Sequence, residues 1–402
     1  MNKLLEEAKA LQNTLIKHRR YIHENAEIEM ELPCTTKYVM DKLVEMSYEP
    51  KEICKSGVVA IAGGKNPGKT FLLRADMDAL PIIEETDEPF KSKTNYMHAC
   101  GHDLHTAMLL GAAKILKEHE DEIEGTVKLM FQPAEEPIKG AQAMLKAGVL
   151  ENPKVDAAMM IHVATGTQFP SGLLVVRHPG IISSASDWFT IKVKGKGGHS
   201  SSPNLTIDPL NVISHIFIAL ESINARELAP ADNAAITVGQ MHGGNTSNVI
   251  PDTAFLSGTI RTFNNETRLF IKKRLEEISL SVAKTFRAEA VIEYSCSCPS
   301  LINDAELVKD FKSYTSSLVG DDKVVDADKA QNGAYATMTG SEDFGYVTEL
   351  VPSIMIGLTT GSTADGYVYP HHHPKTKFDE SPLYIGAAAY ANMAIEWLKN
   401  NK

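Results

Sequence analysis

Four short apolar runs constrain the fold of this chain more than any other feature. They are Thr70-Phe-Leu-Leu-Arg74, Thr126-Val-Lys-Leu-Met-Phe131, Val155–Ile161 and Ser353-Ile-Met-Ile-Gly357. Each reads as a buried strand, and each is followed closely by a polar cluster. After the first comes Asp76-Met-Asp78, after the second Glu135-Glu136, after the third His162. After the fourth, a Gly-rich loop leads to His371-His372-His373. Strands of this kind separated by helices form mostly parallel sheets. In open α/β sheets, ligands bind in the crevice outside the carboxyl ends of the strands. Clusters far apart in sequence are therefore expected to meet at one rim.

The helical signals are local. Leu4, Leu5, Ala8, Leu11, Leu15 and Ile16 recur at helical spacing, so the chain is expected to open with one amphipathic helix. Tyr38–Met46 and roughly Thr106–His119 read as two more. Between Ala185 and Cys298 the texture changes. Trp188–Val193 alternates as a half-buried strand, and 208–223 reads as a helix. Ala235–Val238 and Ala254–Ile260 are strands, Ile271, Leu275, Ile278 and Val282 mark a helix, and Ala290–Tyr294 closes with a strand. That order, β-α-β-β-α-β, is a ferredoxin-like unit. With 402 residues, two domains are expected. The fold class is α/β: a mixed α/β domain formed by 1–184 plus 299–402, with an α+β insert at 185–298.

The chemistry centres on Met97–His105, Met-His-Ala-Cys-Gly-His-Asp-Leu-His. A thiolate and neutral imidazoles are ligands for a borderline-soft cation such as zinc. Cys100 and His102, two apart in an extended loop, turn to one side. Further donors are Glu136, His162 and one of the terminal histidines. Five protein ligands exceed one catalytic zinc with an open position and suit two divalent metals sharing ligands. Zinc is the first choice, with manganese, cobalt or nickel as substitutes. In extended backbone, Glu135 and Glu136 point to opposite sides, so one binds metal and the other faces its water as a general base. Asp76 and Asp78 either orient ligand imidazoles or cap a turn. Asp103 is a ligand or a support for one. In the insert, His199, Asn248 and Arg261 are of the types that hold a carboxylate and a developing oxyanion.

Composition narrows the partners. The formal charge is -11 with no Lys/Arg-rich block, which argues against nucleic acid and anionic membrane. Five cysteines, odd in number, do not form a disulfide framework, and Cys296-Ser-Cys298 reads as structural. The first residues carry mixed charge without the apolar stretch of a signal peptide, and no run reaches the length of a membrane span. A reducing cytoplasm is the expected compartment and suits a thiolate ligand.

Several segments resemble the M20 metallopeptidases, in the amidohydrolase branch of hippurate hydrolases, N-acyl-amino-acid deacylases and auxin-conjugate hydrolases. They are Arg74-Ala-Asp-Met-Asp-Ala-Leu-Pro81, His98–Ala107, Phe131-Gln-Pro-Ala-Glu-Glu136 and Gly197-Gly-His-Ser-Ser. Asn248-Val-Ile-Pro-Asp252, Gly258-Thr-Ile-Arg261, Gly340-Ser-Glu-Asp-Phe344, His372-His-Pro374 and Phe378-Asp-Glu380 complete the set. The resemblance implies a catalytic domain of zinc-peptidase type with an inserted ferredoxin-like lid and dimerisation domain. It implies Cys100, His102, Glu136, His162 and His372 as metal ligands and Glu135 as general base. It makes His199 a catalytic lid residue and Asn248 and Arg261 substrate-binding ones. It also implies a homodimer through the lid. The implied reaction is hydrolysis of N-acyl amino acids to a carboxylic acid and a free amino acid. The rivals are a dipeptidase or aminopeptidase on the same scaffold and a metal-binding protein without turnover. Two departures stand out: His23-Glu-Asn-Ala-Glu27 where relatives have His-x-x-Pro-Glu, and Gly-Gly-His-Ser-Ser in place of Gly-Gly-His-Ala-Ala.

Overall fold

A computed structural model describes residues 3–330, 337–338 and 340–402. The chain opens with α1 (Lys3–Ala10) and α2 (Gln12–Glu24), which meet at Leu11 where one helix was expected. α3 (Pro33–Glu45) starts on a proline, whose missing N–H costs nothing in a first turn. Then come β1 (Lys51–Cys54), β2 (Gly57–Gly63), β3 (Thr70–Asp76), α4 (His102–Glu118), β4 (Thr126–Gln132), β5 (Ala157–Ala164) and β6 (Leu174–Val176). The middle of the chain forms β7 (Ala185–Lys194), α5 (Pro209–Ser222), β8 (Ala234–Gly243), β9 (Thr253–Thr262), α6 (Asn265–Thr285) and β10 (Glu289–Cys298). β11 (Val324–Asp326), β12 (Ser353–Thr359) and α7 (Leu383–Asn400) follow.

Two compact units result. The first comprises Met1–Ile182, Ile302–Thr337 and Asp343–Lys402, the second Ser183–Leu301 with Met338–Glu342. The short return of 338–342 to the second unit has no counterpart in the boundaries read from sequence. It includes a bridge from Met338 to Ser183.

In the first unit, eight strands run in the order β1-β2-β4-β3-β5-β12-β6-β11. The central pairs β4/β3, β3/β5 and β5/β12 are parallel. β3 and β12 are buried along their whole length, as strands covered on both faces must be. α4 is buried on nearly all sides and packs against α7 and α2. Close approach is possible because Gly111 has no side chain; a Cβ there would lie 2.4 Å from Leu15 Cδ2. The carboxyl ends of β3, β4 and β5 deliver Asp76, Gln132 and Ala164, and the polar clusters lie at or near them.

The second unit is one antiparallel sheet in the order β8-β9-β7-β10. α5 and α6 cover one face, burying Ile213, Ile216, Ile271 and Leu275 against Phe189, Ile191 and Leu256. This is the ferredoxin-like arrangement. Among the described residues, no helix is long and apolar enough to cross a membrane.

Candidate metal centre

The Cys/His loop leads into α4 earlier than the sequence reading placed it. The helix begins at His102, not Thr106, after Gly101 in the left-handed region at φ 91°. A Cβ at Gly101 would meet Val163 Cγ2 at 2.4 Å and Phe378 Cε1 at 3.1 Å, so only glycine fits the turn. His102 therefore sits on the first turn of a rigid helix, while Cys100 lies in the turn before it.

Hydrogen bonds fix two imidazoles, His102 buried and His162 half-buried, in one tautomer each. His102 Nδ1 donates to the Asp78 carbonyl at 2.8 Å, which leaves Nε2 facing inward. His162 lies within β5, not past it, and its Nδ1 donates to the Val163 carbonyl at 2.7 Å. Its Nε2 stands 3.6 Å from Cys100 Sγ.

Glu135 and Glu136 correct the sequence reading, which placed them in extended backbone. They lie in a turn bracketed by Ala134 at φ 52° and Ile138 at φ 58°. Asp78 holds that turn: its two carboxylate oxygens accept the N–H of Glu135 at 2.9 Å and of Glu136 at 3.1 Å. One oxygen of each glutamate then lies 3.9 Å from His102 Nε2. Asp78 thus caps a turn and, through its carbonyl, orients the His102 imidazole. Asp76 faces the other side of the same ring, with Oδ2 3.6 Å from His102 Nε2. It also holds His105 and Arg74, accepting from His105 Nδ1 at 2.5 Å and from Arg74 Nη1 at 2.7 Å.

His372 adopts φ 64°, a strained conformation for a residue with a side chain. Its N–H donates to the Ala99 carbonyl at 3.0 Å, and its Nε2 stands 3.7 Å from Glu136 Oε1. Of the triple histidine it is the one that joins the cluster. His371 Nε2 instead accepts from Thr165 N–H at 3.3 Å.

Among the described residues, two groups of donor atoms, each lying within 4.8 Å of one another, share Cys100: Cys100/His102/His162 and Cys100/Glu136/His372. Glu135 forms a third such group with His102 and Glu136. The donor set fits a pair of cations. His102 Nε2 and Glu136 Oε1 are buried and have no hydrogen-bond partner, although buried polar atoms are almost always paired. Burial, together with Glu136, pushes the Cys100 thiol well above its usual range. Burial raises the Glu136 carboxyl to about 7; His102 opposes this, and Asp78 and Asp76 add to it. Acids gathered in this way take up protons or bind positive charge.

In the second unit, His199 pairs with Val249 in a short two-stranded ribbon, which brings it beside Asn248; both are exposed. His199 Nδ1 accepts from Ser201 N–H at 3.1 Å and lies 2.8 Å from its Oγ. Arg261 lies on β9, half-buried.

Two residues of the site were not assigned from sequence. His105 Nε2 accepts the Val163 N–H at 2.9 Å, binding α4 to β5. Asp343 accepts from Arg74 at 3.0 Å and Gln132 at 2.7 Å beneath the same rim. The Gly340–Phe344 motif was the signal for Asp343.

Residues 72–396 match the family described as Peptidase family M20/M25/M40. An IAA-amino acid hydrolase ILR1-like 2 from Arabidopsis thaliana is 38% identical over 405 residues, 99% of this chain and 88% of that protein. A hippurate hydrolase from Campylobacter jejuni is 35% identical over 398 residues, 98% of this chain and 100% of that protein. The crystal structure of the Bacillus subtilis YXEP protein, described as a dinuclear metal binding peptidase from the M20 family, superposes with a TM-score of 0.79. It is 31% identical and covers 97% of this chain and 99% of that one. With a match spanning most of its length and full-length relatives above 30% identity, the chain belongs to the peptidase family M20/M25/M40.

Proposed function

We propose that this chain is a metal-dependent amidohydrolase that cleaves N-acyl amino acids into a carboxylic acid and a free amino acid. The observation that carries the reading is the pair of donor clusters joined at Cys100 with Glu135 beside them. The hippurate and IAA-amino acid hydrolases among its relatives act on substrates of this class by name.

Cys100, His102, Glu136, His162 and His372 would hold two divalent ions; Cys100 belongs to both donor groups. Thiolate and imidazole donors favour zinc, with manganese, cobalt or nickel as the alternatives. Such ions supply a water acidified towards a pKa of about 7 and a Lewis acid for the amide carbonyl. Glu135 accepts the proton of the attacking water and passes it to the leaving nitrogen. Asp78 keeps Glu135 in register by holding the backbone of its turn. His199 stabilises the oxyanion, and Asn248 and Arg261 hold the substrate carboxylate.

The working form is a homodimer built on the second unit. β8 is an edge strand, and α5 exposes Leu210, Phe217 and Ile218, features a second copy would cover. A thiolate ligand suits a reducing compartment such as the cytoplasm.

Elemental analysis of the purified protein should find two divalent ions per chain. A panel of N-acetyl amino acids, N-benzoyl amino acids and free dipeptides should then show turnover of the acylated compounds. Faster cleavage of the free dipeptides would assign the chain to peptide hydrolysis and sink this reading.

A further inference from the structure

Three sequence features take no part in the proposed chemistry: the first motif around His23, Asp103, and Glu380 of the Phe-Asp-Glu segment. Asp103 and Glu380 meet at one buried arginine, and His23 joins them through Asp103. Arg19, on α2 and 2% exposed, donates from Nε to Asp103 Oδ2 at 2.8 Å and from Nη1 to Glu380 Oε1 at 3.1 Å. Its guanidinium lies 4.5 Å from the ring centre of Phe90. His23, one turn on, lies 2.8 Å from the same Asp103 oxygen through Nδ1 and 3.2 Å from Glu84 through Nε2.

The two acids that Arg19 joins are not arbitrary. Asp103 follows His102 directly, on the first turn of α4. Glu380 closes the segment that begins at His372. The two loops also touch each other: the His372 N–H bonds the Ala99 carbonyl, and Phe378 packs under Gly101. One planar fork thus reaches both ligand-bearing segments from behind, a task that a lysine, a single point of charge, cannot perform.

We propose that Arg19 is a positioning residue for the metal pair, a clamp that sets His102 and His372 at the spacing two cations require. The proposal rests on the ligand assignment above. Outer residues that orient metal ligands typically alter affinity by about 10- to 100-fold.

The test compares wild-type protein with Arg19→Met, Arg19→Lys, Glu380→Gln and Arg20→Ala. Zinc and manganese affinities are measured by chelator competition, alongside the unfolding temperature of metal-stripped protein. Arg20 bonds Glu380 from the surface, with Nη2 2.6 Å from Oε2, and serves as the control. The expected result is metal binding weakened about 10- to 100-fold in Arg19→Met and Arg19→Lys. Glu380→Gln should weaken it less, and Arg20→Ala should leave it unchanged. Turnover lost in the Arg19 variants should return in excess metal. Variants that merely loosen the fold would lower the unfolding temperature yet bind metal as wild type does, which overturns the clamp. If Arg19→Met fails to fold, Arg19→Lys and Glu380→Gln decide on the same measurement. Wild-type protein that binds no metal overturns the ligand assignment, and the clamp with it.

Discussion

Glu135 and Glu136 are neighbours of one chemical type with different surroundings. Both lie near His102, but only Glu136 also groups with Cys100 and His372. Glu135→Gln keeps the shape of the side chain and removes its ability to take a proton. The substitution should lower kcat by about 10²- to 10⁴-fold while the metal content stays at the wild-type value; elemental analysis and steady-state rates on one preparation check both. Loss of the metal together with activity would make Glu135 a ligand instead. At this scale the sequence revealed donor types well. Cys100, His102, Glu136 and His162 stood out as candidates because few other roles explain thiol, imidazole and carboxylate in that pattern, whereas the choice of His372 among three neighbouring histidines came from the family resemblance. It did not reveal the turn at 134–138, because the positive φ of Ala134 and Ile138 leaves no mark in those side chains. Arg19 was hidden for another reason: Asp103 and Glu380 are remote along the chain, and only the folded backbone brings them to it.

Among the elements, the parallel strands were legible because both faces are covered and their sequences are apolar throughout. Boundaries were less so. Helix α4 starts at His102 because Gly101 turns the chain sharply enough to begin it there, and periodicity, which needs several turns, registers only later. The packing of α2 on α3 carries a prediction about pH. His18 is 6% exposed, and its Nδ1 lies 2.8 Å from Tyr38 Oη. Burial lowers its pKa to about 4; Lys42 adds to this and Glu45 opposes it. The folded protein therefore keeps this imidazole neutral while the unfolded chain protonates it below about 6.5. Stability should fall as pH drops from about 6.5 to about 4, by roughly 3 kcal/mol from this residue when complete. His18→Gln should flatten the stability curve across that window by close to one proton, as read by urea unfolding at a series of pH values. An unchanged slope would mean that the ring is already charged in the fold.

Across the whole molecule, the β-α-β-β-α-β order of the insert was readable from strand alternation together with helical spacing, since one face of its sheet is covered and the other is open. The return of 338–342 to that unit was not, because a short stretch bridging to Ser183 has no periodicity to betray it. The homodimer reading is tested here. Ile218 on α5 is 66% exposed, so Ile218→Glu should cost the fold little. Light scattering should give twice the chain mass of 43.9 kDa for wild-type protein and the single-chain mass for the variant. Wild-type protein of single-chain mass at micromolar concentration would remove the dimer. The strand order has a consequence for synthesis. β12 lies between β5 and β6, yet it is made long after both. Until the ribosome has delivered it, those two strands have no neighbour to join them, and His372, which follows it, has not emerged. A nascent or prematurely terminated chain therefore exposes sticky edges and, on the proposed role of His372, hydrolyses nothing, so catalytic competence would arrive abruptly, with the last stretch of translation.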